Sequence, residues 1–166
     1  LHMWEKAKDF LKKAFTIIFL ASIVIWFLQS FDWQFNLMSD SSKSILAGLG
    51  SIIAPIFAPL GFSDWRASTA IITGVSAKET VVSTLTVLTG AATDAQLSAA
   101  LGTIFTPLSS ISFLAFTILY MPCVAAFAAT RRELESMKGA LLTVLFQTGI
   151  AYLVAMLVYQ IGRLFL

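Results

Sequence analysis

Five long apolar segments occupy most of this chain, and each can cross the hydrocarbon core of a lipid bilayer. They cover residues 14–31, 45–62, 67–90, 111–129 and 140–161. A helix rises about 1.5 Å per residue, so ~20 apolar residues match a hydrocarbon core about 30 Å thick. Backbone polar groups inside lipid must be satisfied within the segment, which favours helices. We therefore expect an all-α fold, a polytopic transmembrane bundle with kinked or re-entrant helices.

The composition favours a lipid bilayer as the surrounding solvent and argues against a nucleic-acid partner. The chain is 58% hydrophobic and only 12% charged, whereas a soluble domain carries about 25% charged residues. The net charge is +2, and the basic residues lie at the ends of apolar segments rather than along one stripe. The lipid bilayer is therefore an expected partner, and nucleic acid is not.

Residues 1–13 predict an amphipathic helix at the membrane surface, or a charged lead-in to the first span, and residues 14–166 form the membrane domain. Four lysines precede the first span, which places its start in the cytoplasm by the positive-inside rule: Lys6, Lys8, Lys12 and Lys13. The basic loop at Arg131 and Arg132 belongs on the same side, which requires an even number of crossings between the two. Four full spans satisfy this count, and so does a re-entrant pair between two spans.

Two regions between the clear spans are less regular. Segment 45–62 contains Pro55 and Pro59, and proline interrupts the hydrogen-bond ladder of a helix. This segment is either a kinked span or a re-entrant hairpin. Residues 91–110 form a weakly apolar connector, in which we expect a short helix beginning at Asp94.

A charged pair, Lys78-Glu79, lies in the middle of segment 67–90. A charge at mid-membrane costs at least ~2.5 kcal/mol, so such residues usually face a cavity or a partner. On one continuous helix, neighbours point ~100° apart, so the two side chains cannot face one point. Glu79 borders a stripe of hydroxyl residues, whereas Lys78 points away. That stripe comprises Thr69, Thr73, Ser76, Thr80 and Ser83.

This arrangement makes Glu79 the preferred candidate for an ion pathway, with Ser76, Thr80 and Ser83 beside it. Lys78 is expected to be a structural counter-ion or anchor, and Gly74 a break just before the pair. The alternative is that the segment is only buried in protein. Its hydroxyls would then bond to neighbouring helices or to their own backbone.

A second polar interruption is the run Tyr120-Met121-Pro122-Cys123 in segment 111–129. Pro122 has no N–H, so the carbonyl of Ile118 loses its helical donor. A free carbonyl beside the sulfur atoms of Met121 and Cys123 could contact a borderline cation. Alternatively, the proline is an ordinary kink, with the sulfur side chains packed as apolar groups.

The sequence lacks several motifs that bind cofactors or carry catalysis in other proteins. No CxxC, HExxH or GxxxxGK[ST] pattern occurs, so we expect no permanently bound cofactor and no catalytic residue. Gln147 in segment 140–161 is expected to form a hydrogen bond between helices.

Several motifs, in the same order, resemble the second Gate region of the FeoB family of ferrous iron transporters. The central ones are ITGVSAKETVVSTLTVLTG and FTPLSSISFLAFTILYMPCVAAFAATRREL. The opening WEKAKDFLKKAFTIIFLASIVIWFL and the closing LLTVLFQTGIAYLVAMLVYQIG are similar to the flanking helices of the family. Phe15 stands where the family pattern has a glycine. The resemblance covers essentially the whole chain.

The resemblance implies transport of Fe²⁺, as substrate, across a bacterial inner membrane. It places a proposed iron contact at Cys123 and the family's A-K-E motif at Ala77, Lys78 and Glu79, so Cys123 and Glu79 become candidates for transient metal contact. The implied partners are the rest of the FeoB membrane domain and its GTP-binding domain, in an oligomer. Neither that domain nor the first Gate half is in this sequence, so we expect a non-enzymatic half of the pathway. Alternatives are a Gate-type transporter half for another solute, such as a nucleoside, and a non-transporting assembly module.

Overall fold

The computed structural model describes residues 15–16, 19–20, 23–34, 36–37 and 43–165. The amphipathic helix expected at residues 1–13 lies outside these ranges. Of the first expected span, 14–31, the described residues 15–16, 19–20 and 23–30 are helical.

From Ile45 onward the described chain is a succession of helices joined by short turns. It contains α1 (Ile45–Ile53), a 3-10 helix (Ala54–Leu60), α2 (Trp65–Gly74), α3 (Thr80–Thr89), α4 (Asp94–Ile104), α5 (Pro107–Leu119), α6 (Val124–Glu133) and α7 (Met137–Phe165). Within the described ranges there is no β-strand, only an isolated bridge between Phe31 and Leu37. The all-α prediction is confirmed, and so is the start of α4 at Asp94.

Within the described residues, two helical stretches are long and apolar enough to cross a membrane on their own. Pro107–Glu133, which comprises α5 and α6, has 27 residues, and α7 has 29. Their outward side chains are large and apolar, as contact with lipid requires; examples are Ile118, Leu142 and Phe146. These properties make the chain a multi-pass membrane protein.

The segments predicted at 45–62 and 67–90 form a bent pair rather than two straight helices. The stretch Ile45–Leu60 meets α2 at 101°, the geometry of a broken span or a re-entrant loop. Pro59 lies inside the 3-10 helix and has no N–H, so the carbonyl of Ile56 has no donor in the i→i+3 pattern. Tyr152 of α7 replaces that donor, with its hydroxyl 2.8 Å from the Ile56 oxygen.

Helix α7 holds α5 and the bent pair together through small buried residues and side-chain hydrogen bonds. Ala151 and Ala155 are fully buried, and Ser112 of α5 donates to the carbonyl of Ala155 at 2.9 Å. Gln160 donates to the carbonyl of Pro59 at 3.1 Å. Small residues at helix contacts allow the close approach that stabilises membrane bundles. An aromatic core fills the space between these elements: Phe57, Phe62, Phe105, Phe113 and Phe116.

The contact between α1 and α2 provides a test of this packing. A Cβ added to Gly50 would lie 2.9 Å from the backbone oxygen of Trp65 and would overlap Thr69. We therefore expect Gly50→Ala to lower the free energy of unfolding by about 1–3 kcal/mol, measured by thermal unfolding in detergent. Gly149→Ala on α7 is the control, because a Cβ there meets nothing within 4 Å. Equal stability of the two variants would contradict the packing described.

Candidate ion pathway at two helix breaks

The charged pair Lys78-Glu79 lies in a break between two helices. A break was expected at Gly74; α2 ends at that residue and α3 begins at Thr80. The side-chain directions argued for one continuous helix therefore do not hold across residues 75–79. The break has a local cause: the N–H of Ser76 donates to the carbonyl of Thr73 at 3.0 Å, and its hydroxyl donates to the same oxygen at 2.7 Å. These bonds end the i→i−4 ladder in a tight turn.

A second break, at residues 120–123, separates α5 from α6 within the 27-residue span. Pro122 has no N–H, so the carbonyl of Ile118 has no helical donor. Cys123 is extended, with φ −60° and ψ 162°, and stands at the N-cap of α6. Tyr120 comes 13 residues after Pro107 and Cys123 comes 10 residues before Glu133, which places the break near the middle of this span.

The two breaks are joined to each other. The N–H of Val124 donates to the carbonyl of Val75 at 2.9 Å, so the first turn of α6 begins against the end of α2. The hydroxyl of Tyr120 lies 3.4 Å from the carbonyl of Ile71. Because each contact crosses from one broken segment to the other, both breaks lie at the same level of the bundle.

Lys78 connects the first break to the carbonyls of the second. Its Nζ donates to the oxygen of Ile118 at 2.8 Å and lies 3.4 Å from the oxygen of Tyr120. The same ammonium lies 5.0 Å from the centroid of the Tyr120 ring, a cation–π distance. The carbonyl that Pro122 leaves without a helical donor therefore accepts from a lysine 40 residues earlier in the chain.

The acidic and sulfur-bearing candidates lie in or beside these breaks. Glu79 is exposed and is the last residue before α3, while Cys123 is a half-buried free thiol. Met121 is half-buried and packs against the aromatic core. Among the described residues, no three His, Cys, Asp or Glu side chains form a group that could hold a metal ion. The arrangement offers a sparse set of donors rather than a closed cage.

The hydroxyl stripe expected on a continuous helix is interrupted by the first break. Ser76 is buried and, like Thr80, donates to nearby backbone; the Thr80 hydroxyl lies 2.7 Å from the Ala77 oxygen. Ser83 is exposed on α3. Thr73 is buried and pairs with Thr84 at 2.8 Å across the break. The hydroxyls of Ser76 and Thr80 thus donate to their own backbone, as expected if the segment were only buried in protein. Their oxygens still have lone pairs that can accept a hydrogen bond or bind a cation.

Three participants were missed by reasoning from the sequence. Tyr120 supplies a carbonyl, a ring and a hydroxyl to the junction, and Val75 supplies the carbonyl that accepts from Val124. Thr84 pairs with Thr73; it follows Thr80 by four residues and would lie on the same stripe of a continuous helix, but it was not included in that stripe. Gln147 is half-buried on α7, whereas Tyr152 and Gln160 are the α7 side chains that donate to the bent pair. Tyr120, which belongs to the run at Pro122, and Thr84, by its spacing from Thr80, carried a signal in the sequence, whereas Val75 carried none.

Comparison with known proteins gives a consistent set of relatives. The model of the Gate family, described as nucleoside recognition, matches residues 11–137. The Fe(2+) transporter FeoB of Staphylococcus aureus strain MSSA476 is 40% identical over 162 residues, which cover 98% of this chain and 24% of that protein. FeoB of Methanocaldococcus jannaschii is 36% identical over 168 residues, covering 97% and 25%.

A further relative is the Fe(2+) transport protein A/Fe(2+) transporter FeoB fusion protein of Porphyromonas gingivalis. It is 32% identical over 212 residues, covering 99% of this chain and 25% of the fusion protein. No solved structure matches. The chain spans about a quarter of the length of the curated relatives it matches. It belongs to the Gate family and is related to a membrane region of the FeoB transporters.

Proposed function

We propose that this chain forms half of the ion pathway of a ferrous iron transporter, with Fe²⁺ as the transported substrate. In this proposal it is the second Gate half of a FeoB-type protein in the bacterial inner membrane. The partners are the rest of the membrane domain and a GTP-binding domain, in an oligomer. The chain itself carries no catalytic step, and GTP hydrolysis belongs to the partner domain.

One observation carries the proposal: two interrupted helical segments meet at their breaks, with Cys123 and Glu79 in or beside them. Irregular backbone at membrane depth is tolerated where it is buried or lines a cavity. In many transporters, broken helices present free carbonyls and helix ends to the substrate ion. The Val75–Val124 hydrogen bond is the contact that brings these two breaks to one level.

The donor set suits an ion that must both enter and leave. A thiolate sulfur and a carboxylate oxygen are acceptable ligands for Fe²⁺, which is a weak binder in the Irving–Williams order. A conducting site has to be weak enough for the ion to depart. One sulfur and one carboxylate, with backbone oxygens nearby, meet this requirement better than a four-ligand cage would.

The family description favours a second candidate, a nucleoside pathway. A nucleoside site needs several polar groups aimed at the base and ribose. Within the spans of this chain, the acidic and amide candidates singled out from the sequence are Glu79 and Gln147. Gln160 already donates to Pro59. The side chains available within the spans therefore suit Fe²⁺ better than a nucleoside. Measuring uptake of each substrate distinguishes the two candidate functions.

The proposal predicts the outcome of neutralising Glu79. In a complete transporter carrying this chain, reconstituted in liposomes, we expect uptake of radiolabelled Fe²⁺ but not of labelled nucleosides. Glu79→Gln should lower Fe²⁺ uptake at least tenfold, because the carboxylate is the only acidic group in either break.

Glu133→Gln is the control, since Glu133 is an exposed carboxylate at the end of α6, away from both breaks. It should leave uptake within twofold of the parent transporter. Nucleoside uptake without iron uptake would replace the iron proposal with the nucleoside one. If the parent transporter took up neither Fe²⁺ nor nucleosides, and the Glu79 variant lost a partner subunit, the chain would be an assembly module.

A further inference from the structure

The ammonium of Lys78 occupies a position that could hold a free cation. Two carbonyl oxygens, of Ile118 and Tyr120, lie 2.8 and 3.4 Å from Nζ, and the Tyr120 ring lies on another side at 5.0 Å. Carbonyl oxygens replace the hydration shell of ions in selective channels, and aromatic faces attract cations. The groups around the ammonium are therefore of the kind that bind cations. In this structure the cation that they bind is the Lys78 side chain.

No carboxylate neutralises this charge in the part of the chain that the structure describes. The described contacts of the Lys78 Nζ are the two carbonyls and the aromatic ring. Glu79 follows Lys78 in sequence but is exposed. Charges inside membrane proteins usually pair with opposite charges or with carbonyls, and here the carbonyls take that role. Such dipolar ligands can exchange one cation for another without leaving a carboxylate unpaired.

The position of Lys78 allows the ammonium to move. Its backbone lies in the turn between α2 and α3 rather than within a helix, and its side chain is half-buried. A lysine carries a compact charge on a flexible four-carbon stem. The ammonium can therefore withdraw from the carbonyls by rotation of its own side chain, while both helices stay in place.

We propose that Lys78 is a tethered cation that competes with the transported ion for the carbonyls of Ile118 and Tyr120. The inference rests on the proposed function, since it concerns the apparent affinity of the pathway for its ion. Two positive charges at one set of oxygens repel each other, so an entering ion displaces the ammonium. The returning ammonium then favours release of the ion, which keeps the site weak.

The test is the concentration dependence of Fe²⁺ uptake by complete transporters carrying Lys78→Gln or Lys78→Arg. Glutamine retains an N–H donor for the Ile118 carbonyl but removes the charge, whereas arginine retains the charge. We expect Lys78→Gln to lower the KM for Fe²⁺ at least fivefold and Lys78→Arg to stay within twofold. Lys138→Gln is the control, because Lys138 is exposed near the start of α7. Its KM should not change.

A lysine that merely holds the two breaks together would give a different result. Lys78→Gln, and Lys78→Met as a second neutral variant, would then lose thermal stability and maximal uptake without a lower KM. That result, or an unchanged or raised KM, would overturn the inference and leave the iron proposal standing. Absence of Fe²⁺ uptake by the parent transporter would instead overturn the proposed function, and this inference with it.

Discussion

Replacing Cys123 by serine is expected to lower Fe²⁺ uptake by a complete transporter at least tenfold while leaving its membrane level unchanged. The thiol stands at the N-cap of α6, one residue before the Val124 N–H that joins the two breaks. A hydroxyl has nearly the same size but is a harder, weaker ligand for a borderline cation than sulfur. A tenfold loss corresponds to about 1.4 kcal/mol at 25 °C.

The position of this cysteine makes the result informative about metal contact. Its side chain makes no cap hydrogen bond with α6, so the serine variant removes no cap of that helix. Serine is also among the preferred N-cap residues, so the start of the helix should be kept or strengthened. Uptake at the parental rate, with unchanged KM, would show that the thiol does not touch the ion.

Replacing Pro122 by alanine is expected to stabilise the protein and, at the same time, to lower Fe²⁺ uptake at least tenfold. Alanine restores an N–H that can donate to the carbonyl of Ile118, the oxygen that now accepts from Lys78. Helix α5 could then continue into α6 and close the second break. We expect the free energy of unfolding to rise by on the order of 1 kcal/mol, the net value of one hydrogen bond.

The matched control is Pro107→Ala. Pro107 is the first residue of α5, where an N–H would have no helical acceptor and proline is well tolerated. This variant should leave uptake within twofold of the parent. Thermal unfolding and uptake measured on the same preparations decide the outcome. If Pro122→Ala retained uptake, or lost it only together with stability, the break would not be a functional element.

The sequence was sufficient to predict the features that depend on local chemistry. Apolar length predicted the two long spans, and the missing N–H of Pro122 predicted that the carbonyl of Ile118 lacks a helical donor. Asp94 predicted the start of α4, where Thr93 provides the N-cap. Each of these depends on residues within one or two helical turns, so pattern and covalent geometry are enough.

The features that depend on contacts between distant segments were not predictable in this way. A break was expected at Gly74, but its contact with Tyr120, 46 residues later in the chain, was not. A Cβ on Gly74 would come within 2.5 Å of the Tyr120 hydroxyl. The contacts of the Lys78 ammonium with the carbonyls of Ile118 and Tyr120 likewise join two distant segments. A helical-wheel argument treats segment 67–90 alone and therefore cannot find either contact.

The most direct test of the ion pathway is the rate at which a maleimide alkylates Cys123 in a complete transporter, with other cysteines replaced and oxygen excluded. If Fe²⁺ passes the junction of the two breaks, adding it should slow alkylation several-fold in a saturable manner, and adding a nucleoside should not. An alkylation rate that Fe²⁺ leaves unchanged, or that only a nucleoside lowers, would contradict the account.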